Sequence, residues 1–118
     1  MPNVVRLDQA QKYEPPLHDA TVHCMHLQHR VTGSGAPFSL GVSYYLPGAR
    51  AEMSASPLDR VYVVLDGELT VEFEGETVRL GPLDSIYIGP NERREARNDS
   101  HRVVTILVTM PYPKEAGT

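Results

Sequence analysis

At 118 residues, with a formal net charge of -4 and a pI near 5.7, the chain suits one domain with one core and lacks the broad positive surface of a nucleic-acid binder. No stretch approaches the roughly 20 apolar residues of a membrane span, and the N-terminal segment carries Asp8 and Glu14 with no long apolar run. A single cysteine, Cys24, excludes an intrachain disulfide framework, so the expectation is a soluble, cytoplasmic protein that binds neither nucleic acid nor membrane.

Residues 1–20 mix charge with proline. Val4-Val5 offers a short edge strand and Pro15-Pro16 stops regular pairing beyond it, so the segment reads as an arm lying over the domain or over a partner subunit. Thr21 to Val31, TVHCMHLQHRV, has the β-branched and apolar content of a strand, ended by Thr32-Gly33-Ser34-Gly35. Cys24 within it reads as a small buried hydrophobe. On such a strand His23 and His29 share a face about 20 Å apart while His26 points to the other. Ordinary half-buried histidines therefore outweigh a shared metal ion.

Phe38 to Leu46 alternates as a strand and Pro47-Gly48 closes it. Glu52, Ser54 and Ser56 then share one strand face, Arg60, Tyr62 and Val64 share a face of the next, and Asp66-Gly67 turns the chain. Leu69, Val71 and Phe73 alternate with Thr70, Glu72 and Glu74, the pattern of a strand with one wet face. Turns at Glu74-Gly75 and Gly81-Pro82 set off Thr77 to Leu80 and Ser85 to Ile88, and Arg102 to Met110, apolar on both faces, reads as a central strand. Many short strands with hardly a helical period predict an all-β sandwich or barrel.

The stretch Gly48 to Gly67, GARAEMSASPLDRVYVVLDG, resembles the first motif of the cupin superfamily: glycine, His-x-His, glutamate and glycine at set spacing. Carried over by position, Gly48 and Gly67 keep the ends, Ser54 and Ser56 stand at the histidines, and Arg60 stands at the glutamate. The second motif, anchored on Asn98, puts its histidine on Arg94, its middle glycine on Asn91, its proline on Gly89 and its first glycine on Leu83. The resemblance spans roughly residues 38 to 110. It implies a small RmlC-like jelly-roll barrel over 21–112, with 1–20 as the arm and 113–118 as a C-terminal tail. It also implies a homodimer paired through outer strands, which the arm would suit.

On that frame Ser54, Ser56, Arg60 and Arg94 line the interior, with Glu52 nearer the mouth. A serine hydroxyl is a poor ligand for a divalent ion and a guanidinium has no acceptor, so neither metal nor other cofactor is expected. Two guanidiniums about 6 Å apart repel by roughly 3 kcal/mol at an effective dielectric of 20, so an anion belongs beside them. That anion is either a small ligand's carboxylate, phosphate or sulfate or an internal acid such as Glu52. A slipped second motif would instead leave Arg94 outside beside Arg93.

Catalysis would need a proton mover as well. Glu52 could serve as base and Tyr44, Tyr62 or Tyr87 as acid, with His26 or another of the three histidines reaching in. The expected function is a metal-free cupin that binds a small organic anion. A metal-free isomerase, epimerase or lyase is the first alternative, since some cupins are epimerases or isomerases of sugar nucleotides that use histidine and tyrosine. A metal enzyme with ligands relocated to His23, His26, His29 and Glu52 is the second. His18 and His101 read as solvated.

Overall fold

Ten strands run between the turns among the described residues, most of them alternating apolar and polar residues. They are β1 Gln11–Tyr13, β2 Val22–Gln28, β3 Phe38–Tyr45, β4 Arg50–Ser54, β5 Arg60–Asp66, β6 Leu69–Phe73, β7 Glu76–Leu80, β8 Ser85–Ile88, β9 Arg94–Arg97 and β10 Val104–Pro111. The computed structural model describes residues 2–15, 18 and 20–113, apart from the side chain of Glu52. Short 3-10 turns cover Leu7–Gln9 and Arg30–Thr32, and no helix is long and apolar enough to cross a membrane.

The strands form a six-stranded sheet, in the order β1-β2-β3-β10-β5-β8, and a four-stranded sheet, β4-β9-β6-β7. All pairings are antiparallel, and the two inner faces supply one core. Tyr45, Tyr62, Val64, Val104 and Ile106 come from the larger sheet; Leu69, Val71, Leu80 and Ala96 come from the smaller. The result is the expected all-β jelly roll.

Three details differ from the pattern reading. Val4 and Val5 form no strand; Asn3 bonds Gln28 and Thr32 instead, and the arm pairs through β1, which aligns Tyr13 with Cys24. The last strand begins at Val104 rather than Arg102. β9, sequence REAR, carries no hydrophobic alternation, yet it lies between β4 and β6. Its outward residues join an ion-pair network, with Arg97 bridging Glu72 at 3.0 Å and Asp99 at 2.8 Å while Arg50 meets Glu95 at 3.3 Å. Of the expected tail, residues 114–118 lie outside the described residues.

The backbone at the motif positions is informative. Gly67 has φ +85°, and a Cβ there would stand 2.9 Å from the Val103 carbonyl oxygen, so only glycine turns β5 into β6 without displacement. Leu83 and Asn91, which stand at glycine positions of the second motif, have φ of +67° and +64°. The left-handed conformation has outlasted the glycines, at a local cost of about 1 kcal/mol for leucine.

Asn98 closes one end of the sandwich. Fully buried, its Nδ2 donates to the carbonyls of Tyr45 (2.9 Å) and Arg102 (2.7 Å), while Oδ1 accepts from the Ser100 N–H (2.9 Å) and hydroxyl (2.6 Å). Its backbone N–H and C=O bond Ala49 and Gly48. One residue thus ties the end of β3, the approach to β4, the end of β9 and the approach to β10. Removing it takes a donor from the buried Tyr45 carbonyl and unties the Ser100 turn, so Asn98→Ala should lower the unfolding free energy by about 2–4 kcal/mol. Urea denaturation checks this; a loss below about 1 kcal/mol would mean that water replaces the side chain.

Candidate functional site

The opposite end, where β3, β5 and β9 begin and β4 and β10 finish, opens into a cavity of about 530 Å3. β5 contributes Arg60 and Tyr62, and β9 contributes Arg94, which pairs in register with Ser54 on β4. Ser56 follows in the loop. On the same sheet as β5, β3 contributes Ser39, Gly41 and Ser43, and β10 contributes Val108 and Met110.

Two of the lining side chains are cationic. Arg94 is only 7% exposed; its Nη1 donates to the Ser54 carbonyl (2.9 Å) and hydroxyl (3.3 Å), and its Nη2 reaches the Tyr62 hydroxyl at 3.5 Å. Arg60 Nη2 donates to Ser56 Oγ at 3.0 Å, while its Nε is buried with no hydrogen-bond partner. Among the described residues no carboxylate pairs with either guanidinium. Arg93, by contrast, is exposed and meets Glu74 at 3.7 Å, so the second-motif register holds and Arg94 points inward.

The mouth is built from rings. Tyr13 and His26 stack with centroids 3.9 Å apart and planes 5° from parallel, His26 and His29 stack at 3.9 Å, and Tyr112 meets His29 edge-on at 5.3 Å. Strict alternation would put His26 and His29 on opposite faces. The β2–β3 register instead shifts between His26 and Gln28, and the extra residue turns His29 onto the face of His26. A similar register shift lies between Ala51 and Ser54 on β4. The side chain of Glu52 lies outside the described residues.

The other candidates separate. His23 is exposed and does not line this cavity, nor does Tyr44. Tyr87 is 61% exposed and donates to Asp59. His101 is exposed, whereas His18 lines the mouth beside Glu14 and bridges to Ala51. Tyr13, Glu14 and Tyr112 were not singled out by the sequence, because nothing in their spacing shows that arm and C-terminal strand converge there.

The Cupin_2 family model, a cupin domain, matches residues 41–110. The chain belongs to the cupin family. It is 40% identical over 110 residues to a protein named Beta-D-galactosidase Rv1717 from Mycobacterium tuberculosis (strain ATCC 25618 / H37Rv), covering 93% of this chain and 94% of that one. The fold is shared with the polyketide cyclase RemF from Streptomyces resistomycificus at a TM-score of 0.81 and 20% identity, over 94% of this chain and 80% of that one. An RmlC-like cupin from Shewanella frigidimarina superposes at 0.77 with 15% identity, over 100% and 97%.

The metal that a cupin frame implies does not fit these residues. Hydroxyls and guanidiniums stand at the ligand positions, and a guanidinium repels a divalent cation. Relocated ligands fare no better. Among the described residues no group of three His, Cys, Asp or Glu side chains could hold an ion, and His26 and His29 stack face to face instead of converging on one point.

Burial governs the titration of the wall. It pushes the Tyr13 phenol up to about 12, with the neighbouring Cys24 adding to the effect, and it raises Tyr45 and Cys24. Burial, then the neighbouring His29, lowers His26; burial, then Arg30, lowers His29. An unfolded imidazole takes a proton near pH 6.5, about where the folded pair still resists it, so stability present above that pH is lost as pH falls below it. Melting temperatures measured from pH 8 to pH 5 should fall below pH 6.5, and the fall should be shallower in His26→Phe. Identical profiles for the two proteins would show that the pair does not titrate this way.

Proposed function

We propose that this cupin binds a small organic anion without a metal. The ligand's carboxylate or phosphate sits between Arg60 and Arg94, and the hydroxyls of Ser54, Ser56 and Tyr62 complete its shell. The observation that carries the reading is the buried, unpartnered Nε of Arg60 beside a second buried guanidinium with no carboxylate among the described residues. Buried cations are rarely left unpaired, because desolvating a charge costs several kcal/mol that only an opposite charge offsets. Arginine forks match carboxylate and phosphate bidentately.

An anion bound at a hundredfold excess over Kd stabilises the fold by roughly 2.7 kcal/mol. The best member of a carboxylate and phosphate panel should therefore raise Tm clearly, and Arg60→Ala should remove most of that rise without unfolding the protein. No anion-dependent rise in the parent, together with marked destabilisation by Arg60→Ala, would instead identify a structural ion pair.

A second reading is favoured by the 40% identity to a protein named as a β-D-galactosidase: hydrolysis of a β-galactoside in the same cavity. Glycoside hydrolysis generally uses two carboxylates flanking the scissile bond. Glu14 is the carboxylate that lines the cavity among the described residues, and Glu52 is the other to test. The raised Tyr13 phenol stays neutral and suits hydrogen bonding better than attack. On this reading the protein releases nitrophenol from p-nitrophenyl β-D-galactoside, and Glu14→Gln slows release by about 100-fold or more. Wild-type release no faster than the buffer would exclude it.

A further inference from the structure

The ring column at the mouth narrows the class of anion. His26 has Tyr13 on one side and His29 on the other, each centroid 3.9 Å away. Two rings at that distance must cover opposite faces, so His26 meets the cavity with its edge alone. Tyr112 is engaged in the same way: the Arg30 guanidinium lies 3.9 Å over its ring and His29 stands against it. With both faces covered, the His26 ring offers an aromatic ligand no flat surface on which to stack.

It offers hydrogen bonds instead. Neither ring nitrogen of His26 has a partner among the described residues, whereas His29 Nδ1 accepts from the Val31 N–H at 3.1 Å. That bond puts the proton of neutral His29 on Nε2, a donor, while neutral His26 carries one donor and one acceptor. Groups that both give and take a proton, such as hydroxyls, match this edge. A purely apolar group would leave half-buried nitrogens unpaired. The cavity, about 530 Å3, falls within the roughly 300–1,000 Å3 of small organic ligand sites and is too large for an inorganic anion to fill.

Resting on the anion reading above, we infer that the occupant is a polyhydroxylated carboxylic acid of monosaccharide size, with its carboxylate on Arg60 and Arg94 and its hydroxyls on the edge of the histidine column. The acid group and the hydroxyl-bearing end are then recognised by different strands, β5 and β9 for the one and β2 for the other.

Isothermal titration calorimetry with D-galacturonate, D-gluconate, D-galactose and benzoate separates the two claims. At least one of the two hydroxy acids should bind tenfold or more tightly than both galactose and benzoate. Arg60→Ala should reduce it to the level of galactose. His26→Phe, which keeps a ring in the stack, should weaken it at least tenfold and leave benzoate unchanged. His26→Gln, which restores a donor and an acceptor, should recover part of the loss and serves if the phenylalanine variant does not fold. Benzoate binding as tightly as the hydroxy acids, and depending on Arg60, would overturn the hydroxy-acid inference while sparing the anion site. Hydroxy-acid affinity unchanged in His26→Phe would do the same. No binding of any acid, or binding indifferent to Arg60→Ala, would overturn the anion reading and this inference with it.

Discussion

The hydrogen-bond knot at Asn98 is the constraint on which the rest of this cupin depends. A two-sheet sandwich of this size has two ends, and both cannot be open if the sheets are to stay in register. Asn98 closes one of them by bonding the backbone of the segments around β3, β4 and β10 as well as the turn at Ser100. The bond to the Tyr45 carbonyl is buried, where it is hard to replace. With that end fixed, the other can part around a cavity lined by groups that would be intolerable in a packed core.

Those groups share one sign of charge. In the family frame the barrel floor holds a metal cation; here Arg60 and Arg94 stand at ligand positions and bring the positive charge covalently. On the metal-free reading proposed above, the cavity keeps its electrostatic character and lacks a Lewis acid. A guanidinium offers several fixed donors in a plane, so it orients an anion by hydrogen bonds, but it cannot polarise an oxygen or lower the pKa of water as a metal does. On the metal-free reading a proton moved in this cavity is moved by side chains, of which the described lining includes histidines, tyrosines and Glu14.

Much of this was legible in the sequence where a residue's type and its period agreed. β3, β5, β6, β7 and β8 announce themselves by alternation and turns, and motif spacing put Arg94 inside even though arginine there contradicts the usual chemistry. Leu83 and Asn91 show why spacing worked: the backbone conformation of the motif persists after its glycines have gone. β9 was illegible because its outward residues are stabilised by Arg50 and Glu72 on neighbouring strands, a partnership no local window contains. Tyr13 and Tyr112 were illegible for a similar reason, since β1 and the end of β10 lie far apart in sequence and meet only at the mouth. The face of His29 was misjudged because it lies beyond a register shift, and period-two reasoning fails by one residue at a bulge.

The shift in β2 has a consequence for how this pocket could change over generations. Whether His29 joins His26 is decided by one surplus residue, near Leu27, and not by what that residue is. Shortening β2 there by a single codon would keep both histidines in the gene while sending one of them to the far side of the sheet. Lengthening it again would bring the column back. Recognition at this mouth is thus written in strand length as much as in side-chain identity. Two descendants of such a gene could agree at every aligned ring and still differ in what they hold.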